Sequence, residues 1–492
     1  MQGHLPILQI LLPLLAAPVC LLLRRSRWAL GFSIAVAWTT FGTAGLLLSR
    51  VLELGTLQYQ LGGWAAPWGI EYRVDELSGF VLLLVSGMAA VALSYAPASI
   101  AREIPEDRHY LFCTATLLCL TGLLGITITG DLFNLFVFLE ISALSAYALI
   151  SMGSSRRALT AALQYLILGT IGATFILIGI GLMYMMTGTL NMIDMADRLS
   201  GTAGSRTVVV AFGFLLVGIS LKMALFPLHL WLPNAYTHAP SVITAFLAAT
   251  ATKVAVYILL RFVFTIFGKS FAFGTMALDT ILLPLAILAI LVPSTVAIFQ
   301  SNIKRMLAYS SLAQIGYMVL GISFASITGL TAGIVHLFNH ALMKGGMFLA
   351  MGCLVLRLGS AEIDDLRGAG RRMPWTMFAW VVGGLGLIGV PGTAGFISKW
   401  YLINAAWENG SRVVAGLVLF SSLLTLVYVW RVVEAAYFEE PDARHATVRE
   451  APTRMLIPTW ALIGATIVFG LSTSLTVGVA RRAAAALLGV AP

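Results

Sequence analysis

Long apolar runs separated by short polar loops fill almost the whole of the 492-residue chain. Because a transmembrane helix needs about 20 mostly apolar residues, the pattern predicts fourteen spans, which we number in chain order. The first span is expected to be a retained helix, since the N-terminal residues have neither a basic stretch nor a cleavage site. The predicted spans cover residues 5–23, 28–49, 76–97, 109–129, 131–152, 161–187, 207–228, 240–262, 276–299, 303–324, 328–357, 374–407, 412–436 and 455–480. The predicted fold class is an all-α polytopic membrane protein, with a single transmembrane domain over residues 1–492.

Two of these spans contain helix-breaking residues. The seventh span is broken at Pro227, shortly after Lys222, and the twelfth at Pro391, shortly before Lys399. A proline inside a helix removes a backbone hydrogen bond, so each break is expected to act as a gate beside a lysine. The predicted gating residues are Pro227, His229, His238 and Pro391.

Broken helices at corresponding positions of two halves indicate a transporter built from inverted repeats. The first predicted repeat comprises the fourth to eighth spans, residues 109–262, and the second comprises the ninth to thirteenth spans, residues 276–436. Because five is an odd number, the second repeat begins on the opposite side of the membrane from the first. We therefore expect two inverted five-helix repeats, each containing a broken helix.

Composition supports the membrane class and suggests an orientation. The chain is 59% hydrophobic and 10% charged, whereas soluble domains carry about 25% charged residues. Its formal charge of +9 could suggest nucleic acid, but the arginines form short clusters between apolar runs, which is typical of topology signals. Alternating the loops places 17 Lys and Arg on one side and 9 on the other. The prediction is a multi-pass protein of a prokaryotic inner membrane, with both termini on the outer side and no nucleic-acid partner.

Lysine and arginine are used differently along the chain. It has 24 arginines, which are placed in the loops, and six lysines, of which four lie inside predicted spans: Lys222, Lys253, Lys344 and Lys399. Arginine stays charged in proteins, whereas lysine can lose its proton when it is buried. The partition predicts that the membrane interior uses lysine alone, as a titratable cation.

Glu140, near the centre of the fifth span, is the clearest acidic residue at membrane depth. A charged residue there costs about 2.5–3.5 kcal/mol, so Glu140 and the four lysines would together cost on the order of 12–18 kcal/mol if unpaired. That is comparable to the whole stability of a domain, about 5–15 kcal/mol. A static ion pair between Glu140 and Lys222 is one interpretation. A pair that opens and closes, and so moves a proton, is the favoured one.

His336, Asn339, His340 and Lys344 stand at i, i+3, i+4 and i+8 of the eleventh span and therefore share one helical face. The histidines could be packing residues, but two beside a lysine favour a proton relay. The two histidines could also suggest a metal site, but no acidic or cysteine residue at a suitable spacing supplies a third ligand. Lys253 could be a lysine extending towards the membrane surface and Lys399 an interfacial lysine, but both are predicted to belong to the relay.

Nothing in the sequence predicts a cofactor. The four cysteines lie singly in apolar runs, without a C-x-x-C pair or a neighbouring histidine cluster. The chain also lacks a phosphate-binding glycine-rich loop, a nucleophile elbow and a metalloprotease motif. We therefore expect no cofactor, no metal and no catalytic centre of its own.

Four stretches carry a family resemblance: GDLFNLFVFLEISALSAYAL, KMALFPLHLWLPNAYTHAPS, KRMLAYSSLAQIGYM and HLFNHALMKGGMF. They resemble the antiporter-like subunits shared by respiratory complex I, membrane-bound hydrogenases and multisubunit Mrp-type cation/proton antiporters, over roughly residues 70–440. The resemblance implies a fourteen-helix subunit that conducts protons within a larger complex. It also implies roles for five residues: Glu140 and Lys222 as the glutamate–lysine pair, Lys253 as the central relay lysine, His340 as a relay position, and Lys399 as the terminal charge.

Two features resemble the D-type subunits of Mrp antiporters. One is lysine at position 399, where one complex I subunit type carries glutamate, and the other is the stretch GDLFNLFVFLE. The chain's end at residue 492 is expected to separate it from the largest members of the family. The leading hypothesis is thus a proton-conducting subunit of a sodium/proton antiporter, with other membrane subunits as partners and sodium carried by one of them. A proton-pumping subunit of a complex I-like NADH dehydrogenase or a hydrogenase is the alternative, and a non-conducting scaffold is a third. The residues leave open the coupling cation, the direction of transport and its stoichiometry.

Overall fold

Helices account for most of the computed structural model, which describes residues 2–199, 201, 204–441 and 447–490. We label the helices of these ranges in chain order. They are α1 Leu5–Leu23, α2 Ser26–Leu54, α3 Glu76–Glu103, α4 His109–Ile128, α5 Leu132–Ser151, α6 Arg156–Thr187, α7 Met192–Leu199, α8 Arg206–Met223, α9 Trp231–His238, α10 Ser241–Leu260, α11 Leu278–Ile298, α12 Ile303–Ser323, α13 Ile327–Leu358, α14 Ala369–Arg372, α15 Pro374–Ile388, α16 Ala394–Glu408, α17 Arg412–Tyr437, α18 Thr453–Leu471 and α19 Ser474–Leu487.

Thirteen helical segments of the described ranges are long and apolar enough to cross a membrane. The shorter apolar helix α15 and the helix α16 that follows it form the predicted twelfth span, so the described chain agrees with fourteen spans. The prediction of an all-α polytopic membrane protein is confirmed. Its division into the repeats 109–262 and 276–436 stays a prediction.

Local side chains explain where several helices begin. Asp75 caps α3 by accepting a hydrogen bond from the Ser78 backbone, and the Ser78 hydroxyl accepts one from the Asp75 backbone in return. Asp131 caps α5 by accepting a 2.7 Å hydrogen bond from the Asn134 backbone. Such caps satisfy backbone N–H groups that have no partner within the helix. Each capping residue directly precedes an apolar run, so the sequence pattern and the helix start agree.

Both predicted helix breaks are present. Helix α8 ends at Met223, after which Ala224 adopts a left-handed conformation (φ 59°), and α9 resumes at Trp231. Helix α15 ends at Ile388, after which Gly389 is left-handed (φ 88°), and α16 begins at Ala394. A residue with positive φ cannot continue a right-handed helix, so each span changes direction within the bundle.

The last predicted span, residues 455–480, is wrong as a single helix. Helix α18 ends at Leu471 and α19 begins at Ser474, with Ser472 in an extended conformation. At the end of α18, a Cβ on Gly470 would lie 2.4 Å from the backbone carbon of Thr393. The end of α18 therefore packs directly against the break between α15 and α16, and α19 packs separately against α13 and α3.

A short hairpin lies between α2 and α3. Strand β1, Leu57–Gln60, pairs antiparallel with β2, Glu71–Val74. The buried Glu71 accepts a 2.8 Å hydrogen bond from the Asn191 side chain, just before α7. The hairpin and the α6–α7 connection are thereby joined at one end of the helix bundle.

The bundle surrounds three central helices. In each of the helices Ser241–Ile266 and Ile303–Ser323, 94% of the residues in the apolar 18-residue stretch are buried inside the protein. In α6 and α11 the corresponding share is 39%. Every residue of α13 from Gly329 to Leu354 is buried. Helices α10, α12 and α13 pack against one another, so their polar side chains face protein and not lipid.

Candidate functional site

Glu140 and Lys222 form an ion pair between α5 and α8. The Lys222 Nζ donates to Glu140 Oε1 at 3.2 Å. The lysine side chain is 7% exposed and the glutamate side chain 25% exposed, so the pair is shielded on the lysine side and more open on the carboxylate side. Lys222 occupies the last turn of α8, directly before the break. The structure thus brings together the two residues that the sequence paired.

The predicted gating residues of the seventh span lie along the α8–α9 connection. Pro227 is in the connection itself, and the His229 ring stacks on Phe226 with the ring centres 5.2 Å apart. His238 ends α9, where the charges of Arg157, Lys304 and Arg305 act on it. Pro227 and His229 therefore follow Lys222 within the connection, whereas His238 lies at the far end of α9, near charges in the first turns of α6 and α12.

A small cavity of about 40 Å³ adjoins Lys222. Its lining includes Ser142 of α5, Tyr165 of α6, and Ala251 and Val254 of α10. A buried water needs about 10–15 Å³, so two or three waters would fit this volume. The cavity lies between Lys222 and the face of α10 that carries Ala251 and Val254, whereas Lys253 stands on the opposite face of α10 and is not one of the lining residues.

Lys253 is fully buried on α10. Its ammonium donates to the backbone carbonyl of Ala248 and, at 3.4 Å, to the Thr252 hydroxyl. The oxygen atoms that contact Lys253 are thus neutral, whereas Lys222 contacts a carboxylate. Helix α10 packs against α13, the helix that carries His336, His340 and Lys344.

Helix α13 presents its two histidines in register. The rings of His336 and His340 are parallel within 3°, with their centres 6.0 Å apart. The His336 Nδ1 atom is 2.8 Å from the Ser398 hydroxyl, while both ring nitrogens of His340 are without a hydrogen-bond partner among the described residues. Lys344, one turn further on, donates to the Leu307 carbonyl of α12 at 3.0 Å. The histidines therefore connect α10 to α16, and Lys344 turns towards α12.

Lys399 lies directly after the second break. Its ammonium donates to the carbonyls of Leu387 and Ile388 at 2.9 and 3.0 Å and to the Ser422 hydroxyl at 2.9 Å. The carbonyls at the end of α15 carry partial negative charge, which favours a cation there. Pro391 lies in the loop that separates these carbonyls from α16. The two breaks differ, because Lys222 pairs with a carboxylate and Lys399 with the end of a helix.

Three contacts around this row were not anticipated from the sequence. The Lys399 ammonium lies 5.0 Å from the centre of the Tyr317 ring, and that ring lies 5.3 Å from His336. Ser398 accompanies His336 as described above. Tyr317 lies in one of the four stretches that carry the family resemblance and Ser398 directly precedes Lys399, but only the packing of α12 and α16 against α13 shows which side chains they meet.

A buried ion pair contradicts the expectation that lysine is the interior's only cation. Arg261, at the end of α10, is 8% exposed and binds Asp75 at 2.5 Å, with further hydrogen bonds to Ser78 and Tyr257. Arg261 had been counted with the loop arginines, although it stands at the end of the predicted eighth span, residues 240–262. Burial alone would raise the pKa of Asp75, but the guanidinium of Arg261 and the hydrogen bonds of Ser78 hold it at about 2. Arginine is tolerated here because its partner stays ionised.

The groups that form the row differ in chemistry from a metal or cofactor site. Within the described residues no group of three or more His, Cys, Asp or Glu side chains could hold a metal ion. What the arrangement offers is a series of groups that can each carry or release a proton: Glu140, Lys222, Lys253, His340, His336 and Lys399, with Lys344 beside the histidines.

Comparison with known proteins gives consistent matches along the chain. The family model described as NADH:quinone oxidoreductase/Mrp antiporter, TM, matches residues 129–425. The chain is 41% identical to NADH-quinone oxidoreductase subunit N of Desulforudis audaxviator over 96% of both chains. It is 29% identical to the D-type subunit of the Na(+)/H(+) antiporter of Alkalihalophilus pseudofirmus, over 95% of this chain and 94% of the relative.

The fold gives the same result as the sequence comparison. A chain of the Mrp complex from a Dietzia species superposes with a TM-score of 0.90 at 26% identity, covering 99% of this chain and 97% of that one. The family model covers more than half of the present chain. The chain is therefore a member of the NADH:quinone oxidoreductase/Mrp antiporter family of membrane subunits.

Proposed function

We propose that this protein is the proton-conducting subunit of a multisubunit monovalent cation/proton antiporter in a prokaryotic cell membrane. The observation that carries the proposal is the buried row that starts at the Glu140–Lys222 ion pair and ends at Lys399. Buried charges of this kind are costly in a membrane and mark ion pathways. A row with a helix break at each end has the form that alternating access to the two sides of a membrane requires.

The first step of the proposed path takes place at Lys222. While Lys222 contacts Glu140, the carboxylate stabilises the protonated ammonium. When the pair separates, desolvation favours the neutral amine, so Lys222 gives up its proton. The adjoining cavity of about 40 Å³ extends from Lys222 to the face of α10 that carries Ala251 and Val254, and transfer to Lys253 on the other face of that helix requires a further rearrangement.

The histidines of α13 are suited to the next steps. Lys253 is buried on α10, which packs against the helix that carries His336 and His340. An imidazole can accept a proton on one nitrogen and release one from the other, so it can pass a proton on. The parallel rings of His340 and His336 lead in the direction of Ser398 and Lys399.

The last group of the proposed path is Lys399. It touches the end of α15 and lies next to Ser398, whose hydroxyl contacts His336. A rearrangement of the Gly389–Thr393 connection would change the carbonyls available to its ammonium. We propose that this connection is the second gate, as Pro227 and His229 are part of the first.

The antiporter assignment draws on the likeness to the Na(+)/H(+) antiporter relative and to a chain of the Mrp complex, both over nearly the full length. In this assignment other membrane subunits complete the complex, and one of them carries sodium. The count of 17 Lys and Arg on one side against 9 on the other favours both termini outside the cell.

A second candidate is the proton-pumping membrane subunit of a complex I-like oxidoreductase. The 41% identity to NADH-quinone oxidoreductase subunit N favours it. The same row would conduct protons in either machine, because the driving reaction lies in partner subunits. Purification of the native complex through a tag on this chain separates the candidates: small membrane subunits would accompany an antiporter, and iron–sulfur or flavin proteins an oxidoreductase.

The test of proton conduction is Lys222→Ala in the purified complex, reconstituted into vesicles with a pH-sensitive dye. Proton flux driven by a cation gradient, or by substrate oxidation if the partners are redox proteins, should be abolished while the complex still assembles. Lys269→Ala is the matched control, because Lys269 is exposed in the connection between α10 and α11. Unchanged flux in Lys222→Ala would remove this lysine from the mechanism.

A further inference from the structure

Gln314 of α12 is a buried polar residue to which the proposed path gives no role. Its side chain is fully buried, and neither its amide nitrogen nor its amide oxygen has a hydrogen-bond partner among the described residues. More than nine in ten buried polar groups in proteins are hydrogen-bonded. An unpaired buried carboxamide is costly, so its place in the fold calls for an explanation.

The packing of α12 against α13 locates Gln314 beside His340. The two helices run antiparallel, and they meet where Tyr317 contacts His336 and where Lys344 donates to Leu307. Gln314 stands about one turn before Tyr317, and His340 one turn after His336. The pair Gln314–His340 therefore lies between two observed contacts of the same interface.

The two side chains are chemically complementary. Both ring nitrogens of His340 are buried without a partner among the described residues, as are both polar atoms of Gln314. A carboxamide has donors and an acceptor on one rotatable group, so it can donate to a neutral imidazole nitrogen or accept from an imidazolium N–H. It can do both without gaining or losing a proton itself.

We propose that Gln314 is a positioning residue of the proton relay, whose carboxamide hydrogen-bonds to His340 directly or through one buried water in both protonation states of the ring. The inference rests on the proposed function, because a partner that serves both protonation states of His340 matters only if that protonation changes. Gln314 carries no proton and acts through His340.

Two substitutions of Gln314 separate this role from simple packing. Gln314→Leu keeps the approximate volume and removes the amide, whereas Gln314→Asn keeps the amide and shortens the side chain. We expect Gln314→Leu to lower proton flux by about tenfold to a hundredfold, the range for loss of one hydrogen bond to a charged group, and Gln314→Asn to retain more flux than Gln314→Leu. A packing role predicts the opposite order, because the shorter side chain leaves a cavity.

Gln9 offers a matched control. It is also fully buried with both amide atoms unpartnered among the described residues, but it lies in α1, which packs against α2 and α4. Gln9→Leu should leave proton flux unchanged. A loss in Gln9→Leu equal to that in Gln314→Leu would show a general effect of removing a buried amide and would overturn the inference.

The deciding measurement is the double variant in the reconstituted complex. If Gln314 acts through His340, Gln314→Leu should cause no further loss of flux in a His340→Ala background, whereas independent effects would multiply. Full flux in Gln314→Leu together with impaired flux in His340→Ala would overturn this inference alone. Full flux in His340→Ala would instead count against the proposed relay itself.

Discussion

Removing one partner of the Asp75–Arg261 ion pair should strongly destabilise the helix that carries Lys253. Asp75 precedes α3 and Arg261 follows Leu260 of α10, so their 2.5 Å contact joins the ends of two helices. Asp75→Ala removes a helix cap, which contributes about 1 kcal/mol, and leaves a buried guanidinium without its partner, which costs about 3–5 kcal/mol. Asp75→Ala should therefore lower the free energy of unfolding by about 4–6 kcal/mol.

Companion variants divide this loss into its parts. Asp75→Asn keeps a capping side chain but removes the charge, so its loss should be smaller than that of Asp75→Ala. The double variant Asp75→Asn/Arg261→Met removes both charges, and it should return to within about 1 kcal/mol of the wild type because replacing a whole buried pair by neutral groups is often tolerated. Thermal unfolding of the detergent-purified protein gives the order of stabilities.

The pH dependence provides a second check. With its pKa held at about 2, Asp75 contributes stability that is present above the ordinary aspartate pKa and is lost only as pH falls through about 2. The difference between wild type and Asp75→Asn should thus be constant from about pH 5 to about pH 9. A melting midpoint of Asp75→Ala equal to that of the wild type would refute this account of the pair.

Two further predictions concern the breaks and the charge beside them. Glu140→Gln removes the carboxylate that lies 3.2 Å from the Lys222 ammonium. Proton flux into vesicles should therefore fall by about tenfold or more. Flux equal to that of the wild type would contradict a role for the charge. Gly395→Ala would place a Cβ atom 1.9 Å from the Gly386 carbonyl oxygen, so it should lower the melting midpoint. In the control Gly416→Ala in α17, the added Cβ meets nothing within 4 Å, so the midpoint should stay unchanged. Equal midpoints for the two variants would disprove the clash.

Local sequence signals account for the parts of the structure that could be predicted. Asp75 and Asp131 were recognisable as caps because they precede apolar runs, and the breaks because proline or glycine interrupts those runs. Glu140 and the four lysines stood out because a charge in an apolar run is costly. In each case the signal lies within a few residues of the feature that it predicts.

Features that depend on distant partners could not be predicted in this way. Asp75 and Arg261 are 186 positions apart, so no residue near Arg261 in the sequence indicated that it is buried and paired. The break after Leu471 depends on packing against Thr393, and no proline or glycine pair marks it. Lys344 shares a helical face with the histidines, but its direction towards Leu307 follows from the position of α12.

The central claim is that protons move through the buried row, and Lys253 is its midpoint. Lys253→Met removes the titratable group and keeps a long apolar side chain at a fully buried site. In the tagged native complex, reconstituted into vesicles, this variant should assemble normally and lose nearly all proton flux, while Lys269→Met, at an exposed position between α10 and α11, should match the wild type. Full flux through an assembled Lys253→Met complex would contradict the account.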